Sequence, residues 1–443
     1  MKLEVQGNFN QAIQELKNDQ NNCVAYVFED LNQNNGIIKN ATFTIKDVFA
    51  TEDAPTTASS KLLKNFKPSY NATCVQKLID NGAQKVAKVY CDELALGGTG
   101  TYSAFGLIRN PLDPNRLSGG SSSGSVATFT KNISLALASD TGDSVRLPAS
   151  YLGVVGYKPS YGAISRYGMF AYASSLDTVS YFTHNVNDAI IYASVLFGKD
   201  KNDFTSKSLK VKSNQSIKPK KINLLKINEK YLSTDVLEAY KTLKKQLSDA
   251  GITINEVDVD EQILLAVKPI YEIISFSEAS SNLANLNGIA FGNRKEGDSW
   301  EKIMTNTRSQ GFHLMVQRRL TLGSFFLHSE NQKELFIKAQ QGRRLVKEYW
   351  DNLTKTADLL VFPASADVAP FIDNNKNKND YSFMEWILTT SNLAGNPSIT
   401  LPWIKSKKEK LPINLALDGE IDHDQKLLSH AKWIEEFLGG NYE

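Results

Sequence analysis

The sequence predicts an α/β architecture on a largely parallel sheet. Two observations carry that prediction. Short apolar runs of strand length alternate along the chain with stretches whose apolar residues recur at helical period, and such a succession closes through right-handed crossovers. A hydrophobic content of 41% with 22% charged residues supplies ample core material for a globular chain. The length of 443 residues admits two or three small domains or one large unit.

Taken in order, Phe9, Ala12, Ile13 and Leu16 follow helical spacing, and Cys23 to Phe28 reads as a short strand. Ala41 to Ile45 is a second strand that ends at Lys46. A helix begins at Asn71-Ala72-Thr73, carries Val75, Leu78 and Ile79 on its apolar face, and closes on Gly82 as a left-handed cap. Lys85 to Tyr90 is the next strand, and Val186 to Phe197 an amphipathic helix. Residues 206–221 hold six lysines and little apolar surface, which reads as an exposed basic linker. Ile222 to Ile227 and Ile252 to Val257 are strands flanking a helix from Asp235 to Asp249. Ser233 or Thr234 is its N-cap, and Gly251 lies just past its end.

The stretch Leu117 to Gly168 departs from ordinary core composition. All eight residues from Ser118 to Ser125 are Ser or Gly, and a second polar turn follows at Ser139-Asp140-Thr141-Gly142-Asp143-Ser144. Glycine costs conformational entropy and serine packs poorly, so these residues serve local geometry and clustered backbone N–H groups. The stretch reads GGSSSGS, then ASDTGDSVRLPAS, then GVVGYKPSYGAISRYG. It resembles the amidase signature family, whose pattern is close to GGSSGGS, GSDTGGSIRxPA and GVVGxKPTYGxxSRYG. Upstream, IKDVF and TTASSKLL around Lys46-Asp47 resemble the family's IKDN and TTxxSKIL. Later patches narrow the likeness to the A subunit of tRNA-dependent amidotransferases: EASSNLA from Glu278, QRRLTLG from Gln317 and NLAGNPSITLP from Asn392.

The resemblance implies one large amidase-signature domain over residues 1–443, with a central twisted, mostly parallel mixed sheet and helices on both faces. Its signature core spans about 42–190 and its glutamine-site segments about 271–402. It also implies a Ser-Ser-Lys triad in which Ser144 is the nucleophile, Ser121 the bridging serine on a cis peptide, and Lys46 the base. A serine hydroxyl needs a base, and a lysine desolvated enough to be neutral can serve. The Thr141-Gly142-Asp143 turn would turn backbone N–H groups toward an oxyanion. For substrate, the likeness carries a glutamine site onto Tyr271, Arg319 and Glu385, where Arg suits a carboxylate and an acid suits an ammonium.

Three departures stand out. Asp143 replaces the family's second Gly, bringing a carboxylate toward an oxyanion unless Arg146 or Lys158 offsets it. The Ser121–Ser144 separation is 23 residues, one shorter than usual, so Ser122 remains the other candidate for the bridge. The loop Gly97 to Gly106 lacks the acid and Asn of the amidotransferase pattern.

The chemistry excluded is equally informative. Net charge is +2, which gives no dominant nucleic-acid footprint. No uncharged apolar run reaches the ~18 residues needed to span a bilayer. Cys23, Cys74 and Cys91 lack CxxC spacing and the five histidines lack HExxH, so no bound metal is expected and the default compartment is a reducing cytoplasm. Neither GxxxxGK[ST] nor GxGxxG occurs in the Gly-rich stretch, so no cofactor is expected on this chain. The resemblance assigns ATP and Mg to a partner, the B subunit, with a small C subunit completing a heterotrimer that acts on mischarged tRNA. Two other readings stand beside it: a stand-alone amidase of small amides, and a non-catalytic scaffold in which Asp143 marks a lapsed site.

Overall fold

A computed structural model describes residues 2–377 and 382–439, with the backbone alone at Ser382 and Glu385. Among these residues eleven strands form one sheet. They are β1 (Val24–Val27), β2 (Thr42–Lys46), β3 (Gln84–Val89), β4 (Leu135–Asp140), β5 (Val155–Lys158), β6 (Thr178–Thr183), β7 (Lys221–Lys226), β8 (Thr253–Asp258), β9 (Leu359–Pro363), β10 (Ser398–Lys405) and β11 (Pro412–Asp418). Their spatial order is β1-β3-β2-β4-β6-β5-β10-β11-β9-β7-β8.

Every residue of β2, β4, β5, β6, β9 and β11 is buried. Successive side chains of a strand point to opposite faces, so burial of all of them means that both faces of the sheet are covered. The α/β class and single sheet follow the expectation; the share of parallel pairing does not. Only β2–β3, β2–β4, β7–β8 and β7–β9 are parallel, and the other six pairings are antiparallel. Two connections explain this. The link from β10 to β11 is too short for a crossover helix. β4 reaches β5 through the short helix Arg146–Leu152, and β6 then inserts between them, antiparallel to both.

Local signals place most early elements. Helices occupy Phe9–Lys17, Thr73–Asp80, Val186–Leu196 and Thr234–Asp249. The Ser233 hydroxyl accepts from the Val236 N–H as the N-cap of the last of these, and Gly82 and Gly251 adopt φ of +90° and +80°. Residues 206–220 run without helix or strand. Beyond β8, the helices Glu261–Asn282, Leu314–Leu327, Lys338–Lys355 and Ser382–Ala394 pack on one another as a layer that carries Tyr271 and Arg319.

Candidate active site

β2 and β4 are parallel neighbours, with Ile45 opposite Leu137, so their carboxyl ends open on the same edge of the sheet. Lys46 ends β2 there and is 0% exposed. Its amine reaches Ser121 Oγ at 2.8 Å, Ser139 Oγ at 2.9 Å and Ser122 Oγ at 3.0 Å. Burial pushes the Lys46 pKa below its ordinary 10.5, against the opposing influence of Cys91, Asp92, Asp140 and Asp177. A lysine at a strand end usually leaves for solvent; this one is held inside a cage of hydroxyls.

The Gly120–Ser121 peptide is cis, and the helix Ser123–Ala127 begins two residues later. Gly120 has a second constraint: a Cβ there would stand 2.4 Å from Asp92 Oδ2. The two adjacent serines differ in where their protons go. Ser122 Oγ donates to the Ser139 carbonyl at 3.1 Å, which leaves it an acceptor toward Lys46. The Ser122 N–H in turn donates to the Ser144 carbonyl at 3.3 Å, so the two serine-bearing segments touch. Ser144 itself lies in the turn after β4 and is 6% exposed.

A buried ion pair shapes that turn. Arg146 Nε and Nη2 donate to the two Asp140 carboxylate oxygens, each at 3.1 Å. Its Nη2 also donates to the Gly142 carbonyl at 2.7 Å and Asn392 Oδ1 at 2.6 Å. Its Nη1 serves the Leu388 carbonyl, Ser391 Oγ and Ser398 Oγ. Thr141 Oγ1 donates to Asp177 Oδ1 at 2.7 Å. Burial pushes the Asp177 carboxyl up to about 6. Arg146, offered above as a counter-charge for Asp143, thus commits its donors to Asp140 and its surroundings. Lys158 is directed to the Asn396 carbonyl at 2.5 Å, and burial brings its pKa down to about 7.

Tyr271 meets this turn from the helical layer, and Arg319 of the same layer bonds Tyr172. A Cβ on Gly142 would lie 3.1–3.2 Å from the Tyr271 ring, so glycine is what lets the ring approach. Arg319 is half-buried, donates from Nη1 to the Tyr172 hydroxyl at 3.0 Å, and keeps a buried Nε without a hydrogen-bond partner. An unpartnered buried guanidinium N–H suits an incoming anion. Glu385 sits on the Ser382–Ala394 helix, and its side chain lies outside the described residues.

Four neighbours escaped the sequence reading: Asp92, Ser139, Tyr172 and Asp177. Asp92 accepts from the N–H groups of Tyr102, Thr99 and Gly100, cinching the divergent 97–106 loop beside the cis peptide. For Ser139 a signal existed, since parallel pairing of β2 with β4 sets it beside Lys46. Tyr172 and Asp177 are joined through space by hydrogen bonds with no spacing rule behind them. Among the described residues, no group of three or more His, Cys, Asp or Glu is placed to hold a metal. A cavity of about 470 Å³ between Leu62, Phe66, Phe170 and Phe291 is lined by none of Lys46, Ser121, Ser144, Tyr271 and Arg319.

A model of the family described as Amidase matches residues 5–428. The A subunit of glutamyl-tRNA(Gln) amidotransferase from Mycoplasma genitalium is 36% identical over 423 residues, covering 92% of this chain and 88% of that protein. Its counterpart in Limosilactobacillus fermentum is 39% identical, covering 85% and 79%. The crystal structure of the corresponding protein from Thermotoga maritima superposes with a TM-score of 0.80 at 31% identity, over 97% of this chain and 91% of that one.

Proposed function

The chain belongs to the amidase family, and on that premise we propose that it is the glutamine-hydrolysing A subunit of a tRNA-dependent amidotransferase. The observation that carries the reading is the 2.8 Å contact between a fully buried Lys46 amine and Ser121. Burial favours the neutral amine, which is the form a base requires.

In the proposed reaction Ser144 Oγ attacks the side-chain amide carbon of glutamine. Its proton passes to Ser121, whose own proton passes to Lys46. Backbone N–H groups of the Thr141-Gly142-Asp143 turn receive the oxyanion. The proton then returns by the same relay to the departing nitrogen, ammonia leaves, and water attacks the acyl-serine to give glutamate. Donation of the Ser122 proton to the Ser139 carbonyl supports Ser121 as the bridge. The open Nε of Arg319 supports a site for the α-carboxylate, with Tyr271 beside it and Glu385 assigned to the α-ammonium.

Ammonia would be used by the B subunit, together with the C subunit, to amidate Glu-tRNA(Gln), Asp-tRNA(Asn) or both in the cytoplasm. The B subunit would consume ATP with Mg, as the likeness to tRNA-dependent amidotransferases implies. Ammonia release from L-glutamine, asparagine and simple amides tests the reading, with wild type and Ser144→Ala each assayed alone and with both partners. Glutamine-selective release that rises with the partners and vanishes in Ser144→Ala is expected. Equal turnover of simple amides, indifferent to partners, would replace the reading with a stand-alone amidase. No release under any condition would leave the scaffold.

A further inference from the structure

The glutamine site as drawn above has an unexplained member. Arg319 rises from the Leu314–Leu327 helix, whereas the nucleophile turn belongs to the sheet. A guanidinium on a long flexible stem recognises a carboxylate well only if something fixes its distance from the reacting carbon. Tyr172 stands at that junction. Its hydroxyl accepts from Arg319 Nη1 at 3.0 Å and donates to Ser275 Oγ at 3.0 Å. Its main chain is held from the other side, because its N–H donates to Asp177 Oδ2 at 2.9 Å. Asp177 Oδ1 meanwhile accepts from Thr141 Oγ1 at 2.7 Å, inside the turn that leads to Ser144. The Asn282 side chain also donates to the Tyr172 carbonyl at 3.2 Å.

We propose that Tyr172 is a positioning residue that sets the Arg319 guanidinium at a fixed distance from the Ser144 turn, and so makes an α-carboxylate on the substrate a requirement. The proposal rests on the glutamine reading above. Four consecutive hydrogen-bonded groups, Thr141, Asp177, Tyr172 and Arg319, link the turn to the guanidinium. The ring of Phe276, 5.1 Å from the guanidinium carbon, supports one face of it. With one Nη bound to Tyr172 and Nε open, the guanidinium presents a defined edge instead of swinging between partners.

The test uses Tyr172→Phe in the assembled enzyme, with two substrates: L-glutamine, and an analogue in which the α-carboxylate is replaced by a neutral group. Loss of one hydrogen bond to a charged group is expected to raise KM for glutamine about ten- to hundredfold with little change in kcat. Turnover of the carboxylate-free analogue should be unchanged. Thermal unfolding of the variant checks that it folds as wild type does. A variant that lowers kcat for both substrates alike, or leaves both unchanged, overturns the proposal. Wild type that does not discriminate between the two substrates defeats the glutamine reading itself. Should Tyr172→Phe fail to fold, Ser275→Ala gives a second arm. It removes the acceptor of the Tyr172 proton and is expected to raise KM for glutamine in the same selective way, an unchanged KM overturning the proposal.

Discussion

Arg146→Met is the sharpest test of how the turn from Asp140 to Ser144 is held. Methionine fills much of the arginine volume but leaves the Asp140 carboxylate buried with only the Val145 N–H at 3.0 Å and the Asn392 amide at 2.9 Å as side partners. It also strips the Gly142 and Leu388 carbonyls of their donor. Removing one partner of a buried ion pair costs about 3–5 kcal/mol. An unfolding entropy of about 2.1 cal/mol/K per residue over 443 residues is about 0.9 kcal/mol/K, so Tm should fall by about 3–5 °C. The deficit should also depend on pH. Burial alone would push the Asp140 carboxyl up, but Arg146, Lys158 and the Val145 N–H outweigh it and hold it below the usual carboxylate range. In wild type that depressed pKa contributes stability which is lost as pH falls through it. In the variant burial wins, the pKa rises, and stability is instead lost as pH climbs through the raised value. The gap between the two proteins should therefore be widest near neutrality and narrow in acid. Differential scanning calorimetry across pH reads it directly. A gap below about 1 kcal/mol at neutral pH, or one indifferent to acid, would refute the idea that Arg146 neutralises Asp140.

Lys46→Ala should cost about 10²–10⁴ in kcat, and the wild-type kcat/KM should rise with pH along an acid limb whose midpoint lies below 10.5, because the neutral amine is the active form. A limb absent from the profile, or an active Lys46→Ala, would remove lysine from the relay. The same depressed pKa costs stability at lower pH, where the unfolded chain binds the extra proton, and that cost disappears as pH rises toward 10.5. Ser121→Ala should approach the loss seen in Ser144→Ala, while Ser122→Ala should cost less because its proton already serves the Ser139 carbonyl. Single-turnover release of ammonia distinguishes them, and the reverse order would move the bridge to Ser122.

How far the sequence reached depends on whether a feature is local. Helix limits were legible where caps and period act over a few residues, as at Ser233 and Gly251. Lys46, Ser121 and Ser144 were singled out because their motifs are compact, and the structure gathers Lys46 with Ser121 and brings the Ser122 and Ser144 backbones into contact. Strand direction was misjudged because alternation of elements says nothing about β6 inserting between β4 and β5. The partners of Arg146 lay out of reach for a similar reason, since Leu388, Ser391, Asn392 and Ser398 approach it only through the fold. Tyr172 reads as one more aromatic in a tyrosine-rich stretch until Arg319 arrives from another helix.

The guanidinium clasp also sets an order of events during synthesis. Every residue of the proposed triad has been made by position 144, yet Ser398, one of the acceptors that steady the nucleophile turn, lies 252 residues after Arg146. At roughly 5–20 residues per second a ribosome needs on the order of ten to fifty seconds to cover that gap. Throughout that interval the nascent chain carries its serines and lysine around a turn held only by the local Asp140 and Gly142 contacts of Arg146. Completion of the clasp is thereby deferred until Ser398 has been made.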